Sequence, residues 1–311
     1  MFDPSCCPSG TIILPDLMSY LPYPLRRNPN GKAAGKASEV WILSYVDFDE
    51  RKRNAFLGIK AGELGAFCYP DALEDRLKMC GDFTNFLFIF DDWSDEFKAG
   101  DVIGMQTCVM EALRDPLGYQ TDKKVGLLTK DYFSRFVSAG GPGRIRRFIN
   151  NMDLYLQAVH HQALDRANRN IPDLESYIVL RRNTSACKPS FALIEYVGNI
   201  DMPDEVMDHP YMKILEDACN DCVSWSNDIY SYNVEQTKGD THNMLVVLMH
   251  EKSMILQEAA DYVGDLCCRS VDTFEETRKM FPSYGPAVDR QIEIYIDGLQ
   301  NWMIGAMYWT L

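Results

Sequence analysis

Hydrophobic positions recur with a spacing of three and four residues from about residue 37 to the end of the chain, and strand-like alternation bounded by turn residues is scarce. That period predicts helices almost throughout. Breaks are expected where proline, glycine and capping residues cluster: Tyr69-Pro70-Asp71, Gly100-Asp101, Asp115-Pro116, Gly140 to Gly143, Ile171-Pro172-Asp173, Asp201 to Pro203 and Phe281 to Pro286. Several place an Asp or Ser where it caps the next helix. The expected architecture is all-α: one domain over residues 1–311, a bundle of about ten helices. Residues 1–35, with Pro15, Pro22, Pro24, Pro29 and Gly31, are expected to form an arm instead of a helix.

Two predicted helices depart from the usual amphipathic pattern. The first runs from Asp71 to about Trp93 and contains Phe86-Leu-Phe-Ile-Phe90, apolar on every side, so neighbours should wrap it at that level. It then runs straight into Asp91, Asp92 and Asp95. The second runs from about Asp208 to Glu235. Leu215, Ala218, Cys222, Trp225 and Ile229 share one face; Asn220, Ser224, Asn227, Ser231, Glu235 and Lys238 share the opposite one.

Composition narrows the range of partners. About half of the 311 residues are apolar, enough for a large core, and the net charge is −14. That charge argues against nucleic acid and against stable association with an anionic membrane. It would also repel an anionic substrate unless bound cations invert the local field. The N-terminal residues carry neither a basic region nor an apolar run, no stretch reaches the length of a membrane-spanning helix, and the ten cysteines are scattered. A cytoplasmic location with reduced, mostly buried thiols is the expectation, and Cys219-x-x-Cys222 is expected to be core.

The two polar clusters carry the candidate chemistry. Asp91 and Asp95 project from one helix face a turn apart and repel unless a cation lies between them. Aspartates at a helix C-terminus also oppose the macrodipole. A water-facing helix end is the plain alternative. Asn227, Ser231 and Glu235, at i, i+4 and i+8, align amide, hydroxyl and carboxylate oxygens suited to a hard cation such as Mg²⁺. A solvated face is the alternative there, but such faces are ordinarily built from Lys, Glu and Arg. Short neutral residues of modest helix propensity repeated mid-helix suggest a polar cavity.

Asn227-Asp-x-x-Ser231-x-x-x-Glu235 followed by Lys238-Gly239, about 135 residues after an Asp-rich motif, closely resembles the class I terpene synthases, and within them the basidiomycete-type fungal sesquiterpene synthases. The resemblance extends over nearly the whole chain, including Leu14-Pro-Asp16, Arg26-Arg-Asn-Pro29 and Gly298-Leu-x-x-Trp302. It implies a single-domain helical barrel whose cavity takes farnesyl diphosphate and three Mg²⁺ ions, as a monomer or homodimer. Asp91, with Asp95, and Asn227, Ser231 and Glu235 match metal ligands. Lys238 matches a diphosphate contact, Arg181 a diphosphate sensor, and Thr184 and Ser185 the positions linking that sensor to a helix break. Ala186 stands where related sequences often carry Gly. The chain stops at Leu311, before an Arg-Tyr pair that the family usually carries, and a truncated C-terminus is the expectation.

The implied activity is Mg²⁺-dependent ionisation and cyclisation of farnesyl diphosphate to a sesquiterpene, protoilludene-type among the candidates, with release of diphosphate. The acidic clusters would then hold the cations that bind the substrate. Aromatic faces stabilise carbocations, and Phe67, Phe88 and Trp302 are the candidates. Two rivals are a prenyl-chain-elongating synthase, which normally carries two Asp-rich motifs, and a non-catalytic helical binding protein.

Overall fold

The computed structural model describes residues 12–96 and 99–311, with side chains described for 12–94 and 101–311. Among these residues there is no strand. A 3-10 turn, Met18–Tyr20, precedes fourteen α-helices. They are α1 Gly31–Leu43, α2 Glu50–Gly58, α3 Ala61–Cys68, α4 Glu74–Glu96, α5 Ala99–Arg114, α6 Lys124–Ser138, α7 Pro142–Asn168, α8 Leu174–Thr184, α9 Cys187–Gly198, α10 Asp204–Met207, α11 Pro210–Lys238, α12 Met244–Lys252, α13 Leu256–Lys279 and α14 Pro286–Thr310.

The all-α expectation holds, but the helices outnumber the expected ten. Some of the additional breaks carry no proline or glycine at the turn itself. Lys60, Ala186 and Ser253 adopt left-handed backbone angles and end or start helices there. Asp49 caps α2 by accepting from Lys52 N at 2.8 Å. The break expected near Gly100-Asp101 falls just before it, with α4 ending at Glu96 and α5 beginning at Ala99. The arm is also shorter than expected, because α1 already begins at Gly31. Its glycines serve packing: a Cβ on Gly62 would stand 2.4 Å from Gly35 Cα, so α1 and α3 meet backbone to backbone.

The apolar run of α4 is wrapped as its pattern requires. Phe86, Ile89 and Phe90 are fully buried, with Phe86 against Tyr132 and Phe90 against Tyr155. Helix α11 is enclosed on both faces. Leu215, Cys219 and Cys222 pack towards α13 and α14, while Asn220 and Ser224 on the other side are equally buried. Burying each such apolar side chain contributes about 1.5–3 kcal/mol. The described cysteines are free thiols, all buried but Cys268, and burial pushes the Cys219 and Cys222 thiols up, so both remain protonated core residues. No helix among the described residues is long and apolar enough to cross a membrane.

Helix α14 is tied to α11 by Tyr295, whose hydroxyl donates to Glu216. Burial pushes the Glu216 carboxyl up to about 7. The folded state therefore keeps a proton that the unfolded chain releases near its ordinary value of 4.5. Stability falls as pH rises between those values and levels off above them. Glu216→Gln should flatten that fall and stabilise the protein at pH 8 by about 2–3 kcal/mol, read from denaturant unfolding across pH. Gly62→Ala should cost about 1–3 kcal/mol, because backbone must move to admit the methyl group. Gly58→Ala, with open space around it, should leave thermal unfolding nearly unchanged.

Candidate active site

Side chains from α3, α4, α7, α8, α9, α11 and α14 surround a cavity of about 240 Å³. Leu64, Leu87, Phe88, Val223, Trp302, Ala306 and Trp309 give it apolar walls. Asp91, Arg166, Arg181, Asn227, Glu235, Asp240 and His242 form its polar part. The two clusters far apart in sequence thus line one space: Asp91 from the end of α4, and Asn227 and Glu235 from α11. Ser224, Asn227 and Glu235 of the α11 stripe face this interior instead of forming a solvated surface.

Arg181, in the last turn of α8, is the best-held charge of the site. Its Nε donates to Asp228 Oδ1 at 2.9 Å, and its Nη2 donates to Asn227 Oδ1 at 2.9 Å and to Ser224 O at 3.4 Å. Asp228 also accepts from Tyr177 Oη at 2.5 Å and Met244 N at 3.1 Å. Burial works against the guanidinium charge, but the Asp228 carboxylate outweighs it, and Arg181 is held charged more firmly than an ordinary arginine.

Asn243 clamps the far end of the stripe. It caps α12 by accepting from Leu245 N at 2.9 Å, and its amide donates to Asp228 O at 2.7 Å and Glu235 Oε2 at 3.0 Å. Burial, helped by the charge of Asp228, raises the Glu235 carboxyl above its usual range. Ser231 Oγ lies between the two, donating to Asn227 O at 2.7 Å, with its lone pairs left to accept or coordinate. Among the described residues no three His, Cys, Asp or Glu side chains converge as a metal site. The converging donors are instead an amide, a hydroxyl and a carboxylate, with Asp91 lining the same cavity. They are hard oxygens, and Glu235 sits where burial disfavours an uncompensated charge. That set fits a divalent cation such as Mg²⁺.

The break between α8 and α9 forms the wall beside Arg181. Ser185 Oγ donates to Asn220 Oδ1 at 2.8 Å and accepts from Cys187 N at 3.2 Å, while Asn220 Nδ2 donates to the Arg182 carbonyl at 2.7 Å. Thr184 Oγ1 lies 3.5 Å from Arg181 O. Ala186 carries φ 57° and ψ 11°, a left-handed conformation that costs an L-residue roughly 1–2 kcal/mol.

Of the candidate residues, Asp91, Arg181, Thr184, Ser185, Asn227, Glu235, Phe88 and Trp302 line the cavity. Ser231 lies within the stripe but is not a cavity wall. Lys238 is exposed at the end of α11, outside the lining. The Asp95 side chain lies outside the described residues. Phe67 departs from expectation: it is buried between α3 and α14, its ring edge-on to Tyr308 at 4.8 Å, because the close approach at Gly305 turns that face of α3 towards α14. Trp309, which is not among those candidates, takes an aromatic place in the wall, with its ring 5.8 Å from Phe88 and its Nε1 donating to Ile59 O. Asp228, Asn220 and Asn243 were also missed as positioning residues. Asp228 stands beside Asn227 in the motif, and that adjacency was the available signal.

Asp228→Asn should destabilise the fold by about 3 kcal/mol or more, since it leaves a buried guanidinium without its counter-charge. Asp92→Asn, at an exposed position outside the cavity, should leave unfolding unchanged. Urea titrations of both variants test the contrast.

A family profile described as "Terpene synthase family 2, C-terminal metal binding" matches residues 82–273. Sesquiterpene synthase 1 of Postia placenta is 48% identical over 99% of this chain and 90% of its own length. Alpha-muurolene synthase of Coprinopsis cinerea is 42% identical over 97% of this chain and 73% of its own. The crystal structure of germacradien-4-ol synthase from Streptomyces citricolor superposes with a TM-score of 0.82 at 25% identity, covering 93% of this chain and 96% of that one.

Proposed function

Because the chain belongs to the terpene synthase family, among its fungal sesquiterpene synthases, we propose that it is a Mg²⁺-dependent cyclase that converts farnesyl diphosphate to a sesquiterpene and diphosphate. The observation that carries this reading is the convergence of Asp91, Asn227, Glu235 and Arg181 at the polar part of an otherwise apolar cavity.

In this reading Asp91 and Asp95 on α4, and Asn227, Ser231 and Glu235 on α11, hold the metal ions, three by resemblance. Bound Mg²⁺ would supply Lewis-acid stabilisation of the departing diphosphate. Arg181 offers diphosphate a fixed positive fork whose orientation Asp228 sets before substrate arrives. Lys238, exposed at the end of α11, is proposed as an outer contact. Thr184 and Ser185 hold the helix break beside the reacting carbon. Phe88 and Trp302 present ring faces to an allylic cation, an attraction worth up to about 2 kcal/mol when desolvated. Trp309 joins them in excluding water. For the product, a protoilludene skeleton reached through a humulyl-type cation is one candidate, and cubebol- or cadinane-type chemistry is another.

Purified protein incubated with farnesyl diphosphate and MgCl₂ should release diphosphate and give a cyclic sesquiterpene on gas chromatography, and EDTA should abolish both. Addition of isopentenyl diphosphate separates the nearest rival, since a longer prenyl diphosphate would identify an elongating synthase. No diphosphate release with Mg²⁺ would favour a binding protein. Asn227→Ala and Glu235→Ala should each lower kcat at least about 100-fold without unfolding the protein. Arg181→Lys should lose most activity, because a point charge does not replace a planar fork.

A further inference from the structure

One titratable group in the cavity wall has no part in holding metal or diphosphate. His242, in the connection between α11 and α12, lines the cavity and is 7% exposed. Its Nε2 is buried without a hydrogen bond and lies 3.3 Å from Asp165 Oδ2 on α7. Asp165 is itself buried, and its other oxygen accepts from Asn170 Nδ2 at 3.0 Å. The same Oδ2 stands 3.7 Å from Nε2 of His161, whose side chain is 64% exposed. An imidazole in the wall thus backs onto a carboxylate, which backs onto a second imidazole in water.

The chain's position is anchored independently of the ring. His242 N donates to Asp240 Oδ1 at 2.9 Å, and its carbonyl accepts from Tyr177 Oη at 3.4 Å. Burial holds the imidazole's pKa below its ordinary value, so the ring is neutral at neutral pH and able to accept a proton. The charged and titratable groups facing it are Asp165, Arg166 and His161 from α7, Tyr177 and Arg181 from α8, and Asp240 of its own segment. Arg166 and Arg181 oppose protonation, while Asp165 and Asp240 favour it.

We propose that His242, positioned by Asp165, is the base that ends the cyclisation. This rests on the cyclase reading above. The Asp165 carboxylate, 3.3 Å from Nε2, favours the proton on that nitrogen by its charge, which leaves Nδ1 as the lone-pair nitrogen. A C–H bond next to the final carbocation breaks. Its electron pair becomes the new alkene π bond, and its proton goes to Nδ1. The imidazolium so formed is stabilised by Asp165 and returns its proton to water after the hydrocarbon leaves.

The test is the ratio of hydrocarbon to diphosphate released from farnesyl diphosphate with Mg²⁺. For His242→Gln the readout is hydrocarbon formed per diphosphate released, whatever the overall rate. Its hydrocarbon share should drop about tenfold or more, in favour of water-quenched sesquiterpene alcohols. In the unmodified enzyme that share should fall as pH drops and His242 protonates, and the dependence should vanish in His242→Gln. Asp165→Asn, which keeps the ring but removes its counter-charge, should move the same transition to lower pH. An unchanged hydrocarbon share in His242→Gln, or a pH-independent share in the unmodified enzyme, would overturn the proposal. The second measurement needs no variant and stands if His242→Gln fails to fold. Absence of diphosphate release from the unmodified enzyme would instead defeat the cyclase reading and this inference with it.

Discussion

The buried pair between Arg181 and Asp228 is the contact on which the organisation of the site depends. It joins the last turn of α8 to α11, and Arg182, paired with Asp221 and Asp217, ties the same two helices together one residue further on. Desolvating both charges is expensive, and their mutual attraction repays it only because other donors complete the arrangement. Tyr177 and Met244 N satisfy the remaining carboxylate positions, while Asn227 and the Ser224 carbonyl take the second arm of the guanidinium. Each partner comes from a segment that also shapes the cavity. Satisfaction of this ion pair therefore helps to fix the relative placement of α8, α11 and the start of α12, beside the Arg182–Asp221 pair.

That constraint explains why the central part of α11 can be buried on both faces while carrying so many polar residues. Its apolar face enters the core against α13 and α14 as any amphipathic helix would. Its other face is accommodated because nearly every polar atom has a designated partner: Asn220 spans the break after α8, Asn227 meets Arg181, and Glu235 meets Asn243. Ser224 Oγ is an exception, buried at the cavity with no hydrogen-bond partner.

Much of this was legible from the sequence. The wheel of α11 separated its two faces, and the short neutral residues on one of them pointed inward. The apolar run of α4 indicated that Asp91 ends up in an enclosed place. The rest was hidden for identifiable reasons. The left-handed breaks at Lys60 and Ser253 carry no residue that demands them, and the one at Ala186 was signalled only by the family resemblance. Asn243 looks like an ordinary helix cap until α11 is seen to pass beside it. Phe67 and Trp309 exchange places because rotation of α3 against α14 is decided by the close approach at Gly305, which helical spacing alone does not encode.

The left-handed alanine at the end of α8 bears on how the molecule responds to load. A glycine at that place could swing among several backbone states, and the bend would act as a hinge. Ala186 has few alternatives, Asn220 holds the Arg182 carbonyl before it, and Ser185 Oγ links Asn220 to Cys187 N after it. The bend is accordingly a stiff bracket: force applied to Arg181 passes into α9 with little lost to flexing. Whatever enters the cavity would deform the helices as coupled levers, and the pliable parts of the machine must be sought at its mouth, not at its corner.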